Sequence, residues 1–227
     1  MSEMPKLYTS EQYVKELMRI HEHYKTYYAW GAFGSPANAK NRKRYEVPDT
    51  VTPDTFLFDC SGFAYKALPW GWCGDKNKTY GGASYNKYDL DHPFPQVCEE
   101  ISKDFSTIVP GEVVYMPGHV GVYVGKGVVV ECTAAWENCV LLSECKNVSI
   151  DTGLKHKRTW TSHGKLPFVD YGLVEISLPI YTVAMMGEGL IKIARRCGIT
   201  LEEIKRLNPE IKPPMYLVRK GQKVRIK

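Results

Sequence analysis

Hydrophobic positions divide the chain into a helical first third, an alternating middle and a short mixed tail. Tyr13, Leu17, Ile20 and Tyr24 recur at helical spacing and predict a helix over Ser10–Tyr24, with Ser10 as N-cap. A loop rich in Gly, Pro, Asn and Lys follows up to Pro53, after which Phe56–Phe58 brings apolar residues back. Asp59-Cys60-Ser61-Gly62 opens a short helix that ends near Leu68. Residues 70–95 read as a long irregular loop, whose Trp70, Trp72, Tyr80 and Tyr85 serve either as packing or as a substrate wall.

From Pro110 the period changes from helical to alternating. Gly111–Met116, His119–Val124 and Val128–Thr133 predict strands, the last two joined by the hairpin loop Gly125-Lys126-Gly127. Further strands are expected at Val140–Leu142 and around Arg158–Trp160. Helices followed by an antiparallel meander make an α+β fold. After the linker, Tyr181–Met185, Leu190–Cys197, a helix opened by Thr200-Leu201-Glu202-Glu203, and Lys223–Ile226 give a small β-α-α-β unit. The expected domains are 1–174 and 181–227, with a linker at 175–180.

Charge sharpens that division. Up to Ile180 there are 19 basic and 21 acidic residues, and from Tyr181 on there are 11 and 4. A basic tail suits an anionic polymer, a membrane face or a cell wall, or is simply a solvated surface. The chain, 44% hydrophobic and 24% charged, has the composition of an ordinary globular protein and needs no disulfide framework. Its seven cysteines form no Cys-x-x-Cys pair, so no metal site is expected. The polar start, Met1-Ser2-Glu3-Met4-Pro5-Lys6, leads into no signal-peptide core, and no run spans a membrane. A protein made in the cytoplasm, with reduced thiols, is the expectation.

The chemistry concentrates on a cysteine at a helix start and a histidine at a strand start. The field of a helix N-terminus favours a thiolate at Cys60, and an imidazole nearby pairs with it and then protonates a leaving amine. If Val124 pairs with Val128, paired numbers sum to 252 and Gly121 lies opposite Glu131. His119 and Glu131 then share a sheet face on a diagonal, with the glycine leaving that face open. A slip of one residue would send Glu131 to the other face.

Asp59-Cys60-Ser61-Gly62-Phe63 and Gly118-His119-Val120-Gly121-Val122-Tyr123-Val124-Gly125 resemble the two hallmark motifs of the NlpC peptidases. These are papain-like cysteine endopeptidases that cut peptidoglycan stem peptides. Tyr28-Ala29-Trp30-Gly31 and Gly111-Glu112-Val113-Val114-Tyr115 are similar to the stretches that precede the nucleophile and the histidine in that family. The resemblance implies N-terminal helices packed on an antiparallel sheet, Cys60 as nucleophile, His119 as base and Glu131 as third polar residue. It also implies that the Tyr28 hydroxyl helps the Cys60 amide at an oxyanion, and that Asp59 and Ser61 line the neighbouring subsite. Ala32 stands where a second glycine is common in the family.

The tail resembles a LysM domain through Tyr181-Thr182-Val183, Gly187-Glu188-Gly189-Leu190, Leu207-Asn208-Pro209 and Gly221–Ile226. That resemblance implies an N-acetylglucosamine-containing glycan as partner, held by Gly187, Glu188, Gly189 and Leu190 and by Met215, Tyr216 and Leu217. Gly189 replaces the usual serine or threonine, and Lys220 a frequent proline. Together the expectation is a peptidoglycan hydrolase acting on the γ-D-glutamyl–diamino acid bond, in the manner of a phage or prophage endolysin released through a holin. It takes no cofactor and no nucleic acid. The alternatives are an N-acetylmuramoyl-L-alanine amidase on the same fold, a non-catalytic wall-binding protein, and a cytosolic enzyme recycling free stem peptides.

Overall fold

The computed structural model describes residues 4–78, 80–81, 88–172, 181–184, 188–209, 211, 218 and 221–226. The chain divides into two compact units, Met1–Ile176 and Ser177–Lys227. The expected linker 175–180 lies outside the described residues, as does Tyr85.

The first helix spans Ser10–His23 and buries Tyr13, Val14, Leu17 and Ile20, the apolar face its spacing demands. Its N-cap is Thr9 rather than Ser10. The Thr9 hydroxyl accepts from the Gln12 amide while the Gln12 side chain accepts from Thr9, a reciprocal capping box. Ser10, one residue inside, is buried instead. Tyr13 packs edge-on against Phe168, and its hydroxyl donates to the Ala64 carbonyl. This ties the first helix to the helical run that carries Cys60.

That run begins at Cys60 and contains a π-helical turn, Gly62–Lys66, followed by an α turn, Ala67–Trp70. It extends two residues past the expected end at Leu68. Pro69 cannot donate to the α ladder, and the wide turn ends three residues before it. Gly71, with φ of 86°, closes the run. Gly62 is required by contact: a Cβ there would lie 2.0 Å from the Ala32 carbonyl oxygen.

A three-stranded sheet feeds the start of this run. Thr26–Tyr28 lies parallel to Phe56–Phe58, which pairs antiparallel with Phe33–Pro36. The register sets Tyr28 opposite Phe58, directly before Asp59-Cys60. Trp72 is fully buried against Tyr24, Phe56 and Phe58, and Trp70 is buried with its indole N–H donating to the Tyr88 carbonyl. Tyr80 stacks on Phe33. The two tryptophans are therefore core, not a substrate wall.

The main sheet has seven strands in the spatial order Lys157–Arg158, Cys139–Cys145, Val128–Thr133, His119–Gly125, Val113–Met116, Ser162–Lys165 and Glu99–Ser102. All neighbours are antiparallel except the first pair, which is parallel. The central four strands form the expected meander. One face packs Phe105, Val114, Tyr123, Val129, Cys145 and Trp160 into a buried cluster.

In the second unit, Tyr181–Val183 pairs antiparallel with Lys223–Arg225, and helices Leu190–Cys197 and Leu201–Leu207 lie between them in sequence. Leu190, Ile193, Ala194, Ile204 and Val224 form its core. Gly198 takes the left-handed conformation, φ 67°, and returns its N–H to the Ala194 and Arg195 carbonyls. Thr200 caps the second helix by accepting from the Glu203 amide at 3.1 Å. Asn208 is the staple: its amide donates to the Ile204 and Arg225 carbonyls at 2.7 Å and accepts from the Arg225 N–H at 2.8 Å. Among the described residues no helix is long and apolar enough to cross a membrane.

Candidate active site

Asp59 builds the start of the Cys60 run. One carboxylate oxygen accepts from the Ser61 hydroxyl at 2.9 Å and from the Gly62 amide, and the other accepts from the Gly31 amide at 2.8 Å. Asp59 thus caps the helical turn and pins the Tyr28–Ala32 segment beside it. Trp30, within that segment, is 77% exposed. Asp59 and Ser61 are therefore committed to each other and to local backbone.

Cys60 is buried, and its thiol is held above the usual range. Burial is the largest cause, and the adjacent Asp59 carboxylate adds to it. The Val120 and Ser61 amides act the other way by donating towards the sulfur. This differs from the expected thiolate: desolvation and a neighbouring anion outweigh the field of one helical turn. Tyr28 lies in the same electrostatic neighbourhood. Its phenol is pushed up to about 12 by burial first, then by Cys60 and Asp59.

His119 begins its strand, one residue before the Val120 amide that reaches Cys60. Paired numbers do sum to 252 at Val122–Val130 and Tyr123–Val129. At the turn a bulge brings Gly125, not Val124, opposite Val128, and Lys126 and Gly127 take positive φ. The register beyond the bulge produces the diagonal. His119 Nε2 and Glu131 Oε2 lie 2.6 Å apart. Gly121 does not leave an open face. A Cβ there would lie 2.6 Å from Val129 and 3.2 Å from both Glu131 and Trp160, so the glycine is what admits those side chains.

Glu131 is fully buried and held by four contacts. Oε1 accepts from the Ser143 hydroxyl and from Arg158 Nε at 3.2 Å, while Oε2 faces His119 and, at 2.9 Å, Arg158 Nη2. Burial pushes this carboxyl up, but hydrogen bonds from His119, Arg158 and Ser143 outweigh it and hold it below the usual range. The imidazole also stacks on Trp160, ring centroids 5.7 Å apart. Ser143, Arg158 and Trp160 were invisible to pattern reading. Ser143 comes from the strand Cys139–Cys145, Arg158 from the edge strand, and Trp160 from the segment just after it.

The structure therefore joins His119 to Glu131 directly, and brings Cys60 to the amide that follows His119. Among the described residues no hydrogen bond links the Cys60 thiol to the His119 ring. All seven cysteines are free thiols. Among the described residues no group of three or more His, Cys, Asp or Glu side chains converges as a metal site requires.

On the second unit, Glu188 is gripped by Arg196 at 3.0 and 2.9 Å, and Arg196 also donates to Thr182. Leu190 buries its side chain completely in the core of the unit. It has only backbone to offer a glycan, because the first turn of that helix needs an apolar anchor. Gly189 is the helix N-cap and makes no side-chain cap. Gly187, Met215, Tyr216 and Leu217 lie outside the described residues.

Residues 181–227 match the LysM domain. Two solved structures, NlpC1 and NlpC2 from Trichomonas vaginalis, are similar at 15% and 16% identity with TM-scores of 0.38 and 0.36. Each alignment covers 69% of this chain, which spans 44% and 46% of those two proteins. No curated protein matches the sequence.

Proposed function

We propose that the first unit is a thiol hydrolase of peptidoglycan stem peptides, and that the second holds it on N-acetylglucosamine-containing glycan. The observation that carries this reading is the His119–Glu131 pair, whose next residue, Val120, reaches Cys60 through its amide, in a chain whose tail matches a LysM domain. Attachment to an insoluble polymer raises the local substrate concentration, so a weak glycan affinity is enough.

The raised thiol shapes the mechanism. Cys60 rests protonated, and its proton passes to His119 Nδ1 as the sulfur attacks the scissile carbonyl carbon. The carbonyl π electrons move to oxygen, where the Cys60 amide and the Tyr28 hydroxyl face the new negative charge. Collapse breaks the C–N bond, and the imidazolium gives its proton to the leaving amine. Water, deprotonated by the same ring, then hydrolyses the thioester and regenerates the thiol. Glu131 keeps the ring oriented through Nε2 and offsets its transient charge.

The bond assigned is γ-D-glutamyl–diamino acid. Mass spectrometry of muropeptides released from purified peptidoglycan by the wild type and by Cys60→Ala tests it. New amino termini at the third stem residue, absent with the variant, are the expected result. Free L-alanine termini would make the enzyme an amidase. Protein that pellets with the wall but releases nothing from several wall chemotypes would leave only a binding protein. The reading extends to delivery by a holin-type pore, as for an endolysin. Lysis from the cytoplasm without a co-expressed holin would sink that part.

A further inference from the structure

Arg158 occupies a place that neither motif assigns. It sits on the two-residue strand Lys157–Arg158, paired parallel with Glu144–Cys145 at the far edge of the sheet. Its guanidinium faces both oxygens of Glu131: Nε donates to Oε1 at 3.2 Å, and Nη2 lies 2.9 Å from Oε2 as an ion-pair contact, without the alignment of a hydrogen bond. The plane is held from the sides: the Trp136 ring lies 4.4 Å from Cζ and the Trp160 ring 5.6 Å, while Nη1 reaches the Met116 sulfur at 3.7 Å. Trp160 is also the ring on which His119 stacks. Guanidinium and imidazole thus share one indole as a wall.

The strand that carries Arg158 is itself anchored. Lys157 pairs with Glu144 at 3.0 Å, and Glu144 accepts from both the Thr152 amide and hydroxyl. The Arg158 carbonyl accepts from the Lys146 amide at 2.9 Å. A fork held on its backbone, both sides and its tip has little freedom to turn.

We propose that Arg158 is a positioning residue of the site: its fork fixes the Glu131 carboxylate so that Oε2 meets His119 Nε2, which locks the imidazole in one tautomer with Nδ1 turned to Cys60. The proposal rests on the reading of Cys60, His119 and Glu131 as the catalytic set. The charge balance explains why an arginine is needed. A fully buried carboxylate facing only a histidine would draw a proton onto that ring and spend its basicity. Arg158 supplies the cation instead, so Glu131 meets His119 as a carboxylate that already has its counter-ion. Tyr28, Asp59, Cys132 and Cys139 are further titratable groups on the Cys60 side, and on the outer side His156, paired with Glu137, stacks on the Trp136 ring that flanks Arg158.

The test is the tautomer of His119, read by long-range proton–nitrogen NMR correlation on ¹⁵N-labelled full-length protein, with the signal assigned by its loss in His119→Gln. In the wild type a single tautomer with the proton on Nε2 is expected. Arg158→Gln is expected to mix the two tautomers, and Arg158→Lys to restore the Nε2 form in part, with the Nε2 proton exchanging faster than in the wild type. A folded Arg158→Gln that keeps a single Nε2–H tautomer would overturn the proposal. If Arg158→Gln fails to fold, the lysine variant decides: unchanged exchange of the Nε2 proton overturns it as well. The readout needs no cell wall. A wild type that releases no muropeptides refutes the enzymatic reading, while the spectra judge Arg158 separately.

Discussion

Two glutamate–histidine pairs lie in the same sheet, and they differ in almost everything that matters to chemistry. Glu131–His119 and Glu112–His163 both bring a carboxylate to an imidazole nitrogen. His163 is 3% exposed, and its second nitrogen is taken by the Asp104 carbonyl at 3.0 Å. His119 is 13% exposed and stands beside the amide that reaches Cys60. Glu131 has Arg158 as a counter-ion and is held below the usual carboxylate range. Glu112 is pushed above it, chiefly by burial, with His163 opposing. A histidine with both nitrogens satisfied inside a core is a fastener. One with a clamped carboxylate on one side and a thiol neighbourhood on the other is equipped to move a proton.

Histidine removal should separate the pairs most sharply. His119→Ala is expected to cut muropeptide release roughly a thousandfold or more, with a small change in melting temperature. His163→Ala should do the reverse, keeping most activity per folded molecule and costing on the order of 3 kcal/mol of stability through lost packing and hydrogen bonds. Equal activity losses for the two variants would erase the distinction.

Neutralising the carboxylates comes next. Glu131→Gln leaves the Arg158 cation buried without its counter-ion, at a cost of about 3–5 kcal/mol, and activity should fall roughly a hundredfold. Glu112→Gln replaces a group already pushed towards its neutral form and should cost about 1 kcal/mol in chemical denaturation. A larger loss for Glu112→Gln than for Glu131→Gln would invert the assignment.

The smallest effect is on the acid limb of stability. Glu131 is more acidic folded than its ordinary 4.5, so its contribution is complete above that value and is lost as pH falls through the lower folded one. Glu112 is less acidic folded, so its ionisation penalises the fold as pH rises from 4.5 through its raised value. Melting temperatures against pH should therefore show Glu131→Gln flattening the acid loss and Glu112→Gln deepening it. Parallel curves would count against the two directions.

The contrast also shows how far a sequence reaches. The first helix was legible because its apolar face repeats every three to four residues, and its cap was misplaced by one because Thr9 and Ser10 are both good caps. The His119–Glu131 diagonal followed from strand alternation plus one assumed pair. It survived the bulge at Gly125 because the register is set by the buried pairs beyond it. The state of Cys60 was misjudged because burial and the Asp59 charge depend on what surrounds the turn.

Local pattern by itself determined the first helix, the helices of the tail, the meander and the face shared by His119 and Glu131. Each rests on residues close in sequence or on the fixed period of a strand. The short helix Ala39–Arg44 lay hidden in a stretch that reads as loop. Tertiary structure alone decided that Gly121 admits Glu131 and Trp160, that His163 is sealed, and that Arg158 grips a carboxylate 27 positions away. Nothing in a linear pattern ranks one arginine above another. Which cation meets a buried carboxylate is settled by the order in which distant strands pack.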